Sequence, residues 1–480
     1  MKAQGQSFDS TRCWFQIWCI PYVWLLLWPT PRWANGVAVD IPSWDSLGQT
    51  LIPSAPPPVT LDCCCMNQKG QRLDPTPQTV RLFRERNGWC IYSARLWLAL
   101  ELKGISYETV LVASRGDTFD GSLVEEGDGR PEFLGDQSLP LLQYAQESQL
   151  HEASTEASSI DLLRELDAHF PESIPLFSKD EPDPVLFMAH EFEKAVPSNA
   201  RYSPRAAWLF CNEEGFRLDA LHRSAFEKFL DQAESLLSNY DGPFFCGQEL
   251  SAADVVWAPL LERYSVQLPC LHDQLVPRHA NLRPRLYQWY QAMDTVPAYA
   301  CRVRGDGPSW RRVLFVDPWW PKADLWHPRD TVGPKGELLL SEQECCAIFG
   351  STEVGSDVWD DYAKSRPYVS KNPRTEVAVS LIRNREALSK DASNWMEQEG
   401  YVSEFSLDEL DTCFRAIAWI LGLDKEANSF PADDPFFQRV TCILIYLDKR
   451  LCVPRDFGAP SAAALRKLCT EFSSRFGQVL

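Results

Sequence analysis

Residues 79–104 read TVRLFRERNGWCIYSARLWLALELKG, and this stretch decides the fold. In TVRLF, apolar and polar residues alternate as in a half-buried strand, which ends in the polar turn Arg84–Gly88. From Ile91 to Lys103 the apolar residues recur at helical spacing, and Gly104 follows as a C-terminal cap. The sequence therefore predicts a strand, a short turn and a helix, with Cys90 at the start of that helix.

The segments after Gly104 continue with strands and then with helices alone. Residues 107–112 form a second strand. Residues 140–144 and 149–151 pair about a short polar turn, before a helix over residues 154–170. This order of elements is that of a thioredoxin-like domain. Three helical segments then predict an all-helical second domain: residues 216–240, 252–264 and 283–294.

The chain from residue 305 onward forms a third region, which begins with tryptophan and proline residues and turns helical after Pro373. Four helices are predicted there: residues 375–392, 407–421, 434–451 and 461–472. Ser406 and Glu409 form a capping box at the second of them. The aromatic stretch at the start of the region either wraps the first two domains or binds a protein partner, and the usual burial of apolar side chains favours wrapping.

The composition is that of a folded globular protein and excludes some partners. The chain has 480 residues, and its 47 Lys and Arg against 66 Asp and Glu give a formal charge of −19. Duplex nucleic acid and anionic membrane surfaces are repelled by that excess. None of the 16 cysteines forms a C-x-x-C pair, and no two histidines lie four residues apart, so no metal site is predicted. The thin spacing of the cysteines indicates reduced thiols.

The first 77 residues lack the pattern of a packed domain. Residues 1–38 are interpreted as a targeting segment, since a basic and polar start precedes a mostly apolar run over residues 13–28. Pro21 interrupts this run, which is short for a spanning helix, so a membrane anchor is the second interpretation. Residues 39–77 carry many turn-forming residues and are interpreted as a linker.

Cys90 is the candidate nucleophile. At the start of a helix, unpaired backbone N–H groups and the helix dipole stabilise an anion, which lowers a thiol pKa from about 8.5 into the range of about 3.5–7.5. Ser93 stands where many redox proteins carry a second cysteine, so the motif lacks a neighbouring resolving thiol. Such a thiolate accepts a mixed disulfide and needs an external thiol for its release. A buried, inert cysteine that merely opens the helix is the alternative.

Two further positions suit a short thiol peptide. Leu139-Pro140 places a proline directly before the third strand, and a cis bond there leaves the Leu139 backbone free to pair with an extended peptide. Glu156 and Ala157 precede a helix whose first N–H groups can receive a carboxylate, and Glu156 can hold an ammonium group of the same ligand. Together with the thiolate, these features suit a γ-linked thiol peptide.

Taken together, these positions resemble those of the glutathione transferases. The resemblance covers residues 79–304. It includes FCGQELSAAD at residues 245–254, which is similar to the family's buried capping box, and TVPAY at residues 295–299, which is similar to its helical-domain ending. It implies an α+β fold with a thioredoxin-like, glutathione-binding domain at residues 78–175, followed by an all-helical transferase domain and a Trp-rich, helical C-terminal extension. The last two regions span residues 176–304 and 305–480.

A cysteine at position 90 resembles the cysteine-type classes (omega, lambda and dehydroascorbate-reductase-like). The loop with Trp89 and the tail residues 453–456, VPRD, resemble plastid transferase-like proteins of algae and plants with a C-terminal extension. The resemblance implies a thiol transferase or reductase that forms a mixed disulfide between Cys90 and glutathione. Glutathione is then the co-substrate, the second substrate is a small oxidised or thiol compound, and no metal takes part. Leu139, Pro140, Glu156 and Ala157 are the implied glutathione-binding residues. The implied location is the plastid, with the cytoplasm or a membrane association as the alternative.

The sequence also departs from the family pattern. Ala157 replaces the usual serine and removes a hydroxyl that bonds the γ-glutamyl carboxylate. A hydrogen bond to a charged group contributes about 1.5–3 kcal/mol, so the affinity for glutathione is expected to fall about tenfold or more. Ile91 and Ser93 replace a proline and a second cysteine, and residues 117–135 form an acidic insertion beside the predicted site.

Two other functions are compatible with the sequence. In the first, the transferase fold is a non-catalytic interaction or scaffold protein, and the C-terminal extension is the surface that contacts a protein partner. In the second, the cluster Cys63–Cys65 is a thiol redox sensor. The pKa of Cys90 and the binding of glutathione distinguish the enzyme from the scaffold.

Overall fold

A mixed β-sheet forms the N-terminal part of the fold. The structure is a computed structural model, and it describes residues 40–62, 80–112, 139–144, 151–152, 159–179, 183–196, 220–272, 274–313, 342–398, 405–431 and 434–477. The strands are β1 Thr60–Asp62, β2 Val80–Glu85, β3 Tyr107–Val112, β4 Leu141–Tyr144 and β5 His151–Glu152. Their order in the sheet is β1-β3-β2-β4-β5. β3 pairs in parallel with β1 and β2, whereas β4 pairs antiparallel with β2 and β5.

The predicted strand, turn and helix at residues 79–104 are confirmed. β2 leads through a short turn into helix α2, Ile91–Lys103, and Gly104 ends the helix in the left-handed conformation with φ 63°. Of the 13 residues of α2, 11 are buried, because the helix lies between the sheet and the helices that follow. The predicted second strand and the predicted strand pair are confirmed as β3 and as β4 with β5.

The interpretation of residues 39–77 as a linker is wrong in part. This stretch contains helix α1, Trp44–Leu51, and the edge strand β1. Leu47 and Leu51 are buried, and Trp44 Nε1 donates a hydrogen bond to Asp411 Oδ1 at 2.7 Å. The prediction failed because both elements are short and are stabilised by partners far away in the sequence.

The helices of the second domain surround a long central helix. They are α4 Pro184–Ala195, α5 Ala220–Leu237, α6 Ala252–Leu271 and α7 Pro284–Met293. Helix α3, Ser159–His169, precedes them and lies within residues 78–175, the predicted thioredoxin-like domain. The predicted capping box is confirmed, since Ser251 and Asp254 cap α6 reciprocally. α6 runs beyond its predicted end at residue 264 and contains Pro259 and Pro269, and α4 was not predicted.

The C-terminal extension is helical over most of its described residues. A π-helical turn, Tyr299–Val303, leads to α8 Gly307–Val313, α9 Glu342–Phe349, α10 Ser356–Lys364, α11 Pro373–Gln398, α12 Leu407–Gly422, α13 Pro435–Arg450 and α14 Ala459–Phe476. The four predicted helices are confirmed as α11–α14, and the capping box of Ser406 with Glu409 is confirmed at α12. α8–α10 were not predicted.

One hydrophobic core connects the sheet, the second domain and the extension. Trp97 of α2, Trp257 of α6, Trp289 of α7 and Trp310 of α8 are buried in it, and so is Cys452 of the extension. Residues 41–480 accordingly form one compact unit. The burial of Trp310 agrees with the wrapping of the aromatic stretch, whose remainder lies outside the described residues.

Several predictions concern residues that the structure does not describe. The predicted targeting segment, residues 1–38, and the Cys63–Cys65 cluster both lie outside the described ranges. Within those ranges, none of the helices combines the length and the apolar composition that crossing a membrane requires. No disulfide joins any two of the cysteines whose side chains are described.

Candidate active site

Cys90 lies at the N-cap of α2, where the sequence predicts it. Its backbone is extended, and Sγ accepts a hydrogen bond from the backbone N–H of Ser93 at 3.5 Å. The residue as a whole is half-buried. The N–H groups of a first helical turn favour a negative charge at this place. The position is therefore suited to a reactive sulfur.

The carboxylate of Glu85 organises the loop that precedes Cys90. It accepts hydrogen bonds from the backbone N–H groups of Asn87, of Trp89 at 2.6 Å and of Cys90 at 3.2 Å. Without Glu85, the N–H groups of Asn87 and Trp89 would be buried without this partner, since the two residues are 0% and 2% exposed. Glu85 thus fixes the entry of the chain into α2 and also brings a negative charge close to the thiol. An acidic residue at a strand end is the only sign of this role in the sequence.

Arg263 of α6 holds the same loop from the second domain. Its Nη2 donates a hydrogen bond to the backbone oxygen of Trp89 at 2.8 Å, and its guanidinium lies 4.1 Å from the ring centroid of Trp310. Burial lowers the pKa of Arg263 to about 10, and attraction to Glu262 and to Cys90 opposes this shift. A buried cation thus fixes the carbonyl group of the residue next to Cys90.

Arg95 connects the helix of Cys90 with the start of α3. Its Nη1 donates a hydrogen bond to Ser159 Oγ at 2.7 Å, and both side chains are buried. Ser159 is the first residue of α3. Glu156 and Ala157, which are predicted to bind glutathione, precede Ser159 and lie outside the described residues. Arg95 is the described residue that ties this end of α3 to α2.

The predicted lowering of the Cys90 pKa is wrong for the structure as it stands. Burial raises the pKa of the Cys90 thiol, and the carboxylate of Glu85 raises it further. Hydrogen bonds from Ser93 and from the backbone N–H of Tyr92 act in the opposite direction but do not outweigh burial. The helix terminus can be recognised in the sequence, whereas the burial that raises the thiol pKa appears only in the folded structure.

The raised pKa predicts how the reactivity of Cys90 depends on pH. The thiolate is the nucleophile, so alkylation of Cys90 by iodoacetamide should be slow at neutral pH and should accelerate as the pH rises past the ordinary cysteine pKa. Peptide mapping by mass spectrometry at several pH values gives the midpoint for this residue alone. A midpoint in the acidic range would contradict the prediction. It would agree instead with the lowered thiol pKa that the helix terminus alone predicts.

The peptide bond between Leu139 and Pro140 is cis, as predicted. Leu139 is half-buried, Pro140 is buried, and β4 begins at the next residue. No backbone hydrogen bond joins Leu139 to another described residue. The backbone of Leu139 thus fits the predicted pairing with an extended peptide. No group of three or more potential metal ligands occurs within the described ranges.

The sheet with its cis proline, the capped α6 and the surrounding helices define the glutathione S-transferase fold. Residues 198–292 match the family model described as "Glutathione S-transferase, C-terminal domain". This match supports the glutathione S-transferase superfamily for the central part of the chain.

Individual proteins that are similar to this chain include two plant proteins and one solved structure. The chain is 28% identical over 222 residues to Protein IN2-1 of Zea mays, covering 44% of this chain and 76% of that protein. It is 26% identical over 220 residues to the chloroplastic glutathione S-transferase L2 of Arabidopsis thaliana, covering 44% of this chain and 62% of that protein. Among solved structures, dehydroascorbate reductase of Chlamydomonas reinhardtii is 17% identical with a TM-score of 0.32, covering 46% of this chain and 90% of that chain.

Proposed function

We propose that this protein is a glutathione-dependent thiol transferase or reductase of the cysteine type, with Cys90 as its nucleophile. The observation that carries the proposal is the position of Cys90 at the N-cap of α2, where its Sγ accepts a hydrogen bond from the Ser93 N–H. The relatives named as glutathione S-transferases L1 and L2 support a glutathione-dependent reaction. The raised pKa makes deprotonation of Cys90 the step that limits the supply of nucleophile near neutral pH.

The proposed reaction consists of two thiol–disulfide exchanges. The thiolate of Cys90 attacks the glutathionyl sulfur of a mixed disulfide, forms a bond to it and releases the substrate as a thiolate, which takes up a proton. A second glutathione, as its thiolate, then attacks the glutathionyl sulfur on Cys90. Glutathione disulfide leaves and the Cys90 thiolate is regenerated. In the net reaction, the mixed disulfide and one free glutathione give the substrate thiol and glutathione disulfide. The substrate sulfur is reduced as the sulfur of the incoming glutathione is oxidised, so no other reductant is required.

Glutathione is proposed to bind along the edge formed by Leu139 and Pro140. Its peptide groups would pair with the Leu139 backbone, and its γ-glutamyl end would reach Glu156 and Ala157, which precede α3 in the sequence. Leu139 has no backbone hydrogen bond to another described residue, which supports this arrangement. The protein is further proposed to act in the plastid after removal of residues 1–38, in line with the chloroplastic relative.

The formation of the mixed disulfide tests the proposal directly. After incubation with glutathione disulfide at mildly alkaline pH, the intact mass should increase by one glutathionyl group, and peptide mapping should place this group on Cys90. Excess glutathione should then remove it. An adduct on other cysteines only, or none at all, together with no calorimetric binding of glutathione, would contradict the proposal.

A scaffold function is the second candidate, and one observation favours it. The pKa of Cys90 is raised rather than lowered, as expected for a thiol that is not used as a nucleophile. In this case the C-terminal extension would provide the contact surface for a protein partner. Absence of both glutathione binding and the Cys90 adduct is the result that favours the scaffold.

A further inference from the structure

The loop that carries Cys90 contacts a segment of the C-terminal extension, residues 452–456. Cys452 Sγ lies 4.0 Å from the backbone oxygen of Asn87, and Arg455 Nη1 lies 3.5 Å from Asn87 Oδ1. Asn87 and Cys452 are both fully buried. The extension therefore forms part of the immediate surroundings of this loop, although more than 360 residues separate the two in the sequence.

Pro454 packs directly on the backbone of the loop. Gly88 has a φ of 76°, and a Cβ added to it would lie 3.3 Å from Pro454 Cγ. The backbone oxygen of Pro454 accepts a hydrogen bond from Arg302 Nη1 at 3.2 Å. Arg302, in the π-helical turn Tyr299–Val303, thus binds the backbone of Pro454, while the proline ring covers Gly88.

The 452–456 segment is itself firmly held. The backbone N–H of Val453 donates to Ser309 Oγ at 3.1 Å, and the backbone N–H of Cys452 donates to Asp456 Oδ2 at 2.8 Å. Ser309 belongs to α8, which packs against α6. A segment fixed in this way can restrict the loop instead of moving with it.

Three parts of the chain therefore restrain the loop between β2 and α2. Glu85 binds its N–H groups, Arg263 binds the carbonyl group of Trp89, and the 452–456 segment covers Asn87 and Gly88. Catalysis by a positioned group loses rate steeply when that group is displaced by about 1 Å. Contacts that restrain this loop therefore also restrain the position of Cys90 Sγ.

We infer that the 452–456 segment is a positioning element for Cys90, which acts through Asn87 and Gly88 by holding the loop that places the sulfur at the N-terminus of α2. Arg455 and Pro454 are its positioning residues. The catalytic consequence rests on the proposed function, whereas the restraint of the loop does not.

Substitution of Arg455 in the full-length protein tests the inference. Arg455→Ala should accelerate amide hydrogen exchange in residues 86–90 about tenfold, because the loop loses one hydrogen bond. In the proposed reaction, kcat should fall about tenfold while KM for glutathione changes less than about twofold, since the binding residues lie on other elements. Arg455→Lys retains a donor and should restore most of both losses.

Arg450→Ala is a matched control. The Arg450 side chain is 28% exposed and pairs with Asp391, whereas the Arg455 side chain is 27% exposed and pairs with Asp456. Both substitutions remove one positive charge and one ion pair from the extension. Only Arg455 reaches the loop, so Arg450→Ala should leave loop exchange and kcat unchanged.

Asn87→Ala completes the test as the second half of a double-mutant cycle. If Arg455 acts through Asn87, adding Arg455→Ala to Asn87→Ala should cause little further acceleration of exchange. Any one of three results would overturn the inference. These are unchanged amide exchange of the loop in Arg455→Ala, an equal acceleration of that exchange in Arg450→Ala, and full additivity of the two substitutions in the cycle. Accelerated exchange in a protein whose wild type shows no glutathione-dependent turnover would refute the proposed function and leave the positioning inference standing.

Discussion

Replacing Cys90 with serine should reduce glutathione-dependent reduction of a mixed disulfide by at least about a thousandfold, while the protein stays folded. A serine hydroxyl does not ionise near neutral pH and forms no disulfide, so the first exchange has no nucleophile. Serine is also a preferred N-cap residue, and its oxygen can accept the hydrogen bond that the Ser93 N–H donates to Sγ. Steady-state turnover of a mixed disulfide between glutathione and a small thiol checks this expectation. Circular dichroism measures whether the variant is folded.

Cys246→Ser is the control for this experiment. Cys246 is also half-buried, and burial raises its pKa to about 12, but it lies in the second domain before α6. Replacing Cys246 should leave turnover unchanged. That result would show that the loss in Cys90→Ser comes from removing Cys90 and not from removing any half-buried thiol. Full turnover in Cys90→Ser would show that the reaction does not use Cys90. An equal loss in both variants would point to a general effect on the fold.

The position of Cys90 could be predicted from the sequence because neighbouring residues determine it. Alternation of apolar residues sets β2, helical spacing sets α2, and Gly104 ends that helix with a φ of 63°. The capping boxes of α6 and α12 were predictable for the same reason, since each involves residues only three positions apart. Local signals of this kind give both the elements and the place of the sulfur on them.

The environment of Cys90 could not be predicted, because it is built from distant residues. Arg263 reaches the loop from α6, and Pro454 reaches it from the extension. No periodicity in the sequence predicts either contact. Burial also sets the direction of the Cys90 pKa shift, and the local sequence pattern does not reveal burial. Helix α1 was missed for a related reason, since its partners Asp411 and Gly422 lie in the extension.

Asp254 belongs to a capping box that can be recognised in the sequence, but its contribution to stability depends on tertiary contacts. Its carboxylate is completely buried and accepts hydrogen bonds from the backbone N–H of Phe245 at 3.0 Å and from Trp289 Nε1 at 2.9 Å. The N–H and hydroxyl groups of Ser251 donate to it at 2.9 Å each. Burial raises the pKa of Asp254, whereas these four hydrogen bonds lower it. One side chain thus joins the start of α6 to α7 and to the preceding turn.

Asp254→Ala should lower the free energy of unfolding by about 3–5 kcal/mol, because it leaves several buried donors without an acceptor. Glu409→Ala is the matched control, since Glu409 occupies the same position in the capping box of α12 but its side chain is 25% exposed. Water can replace that acceptor, so a loss of about 1 kcal/mol is expected. Urea denaturation followed by tryptophan fluorescence measures both variants. Equal losses would show that burial adds nothing to the cap, and that the link from α6 to α7 through Asp254 does not stabilise the second domain.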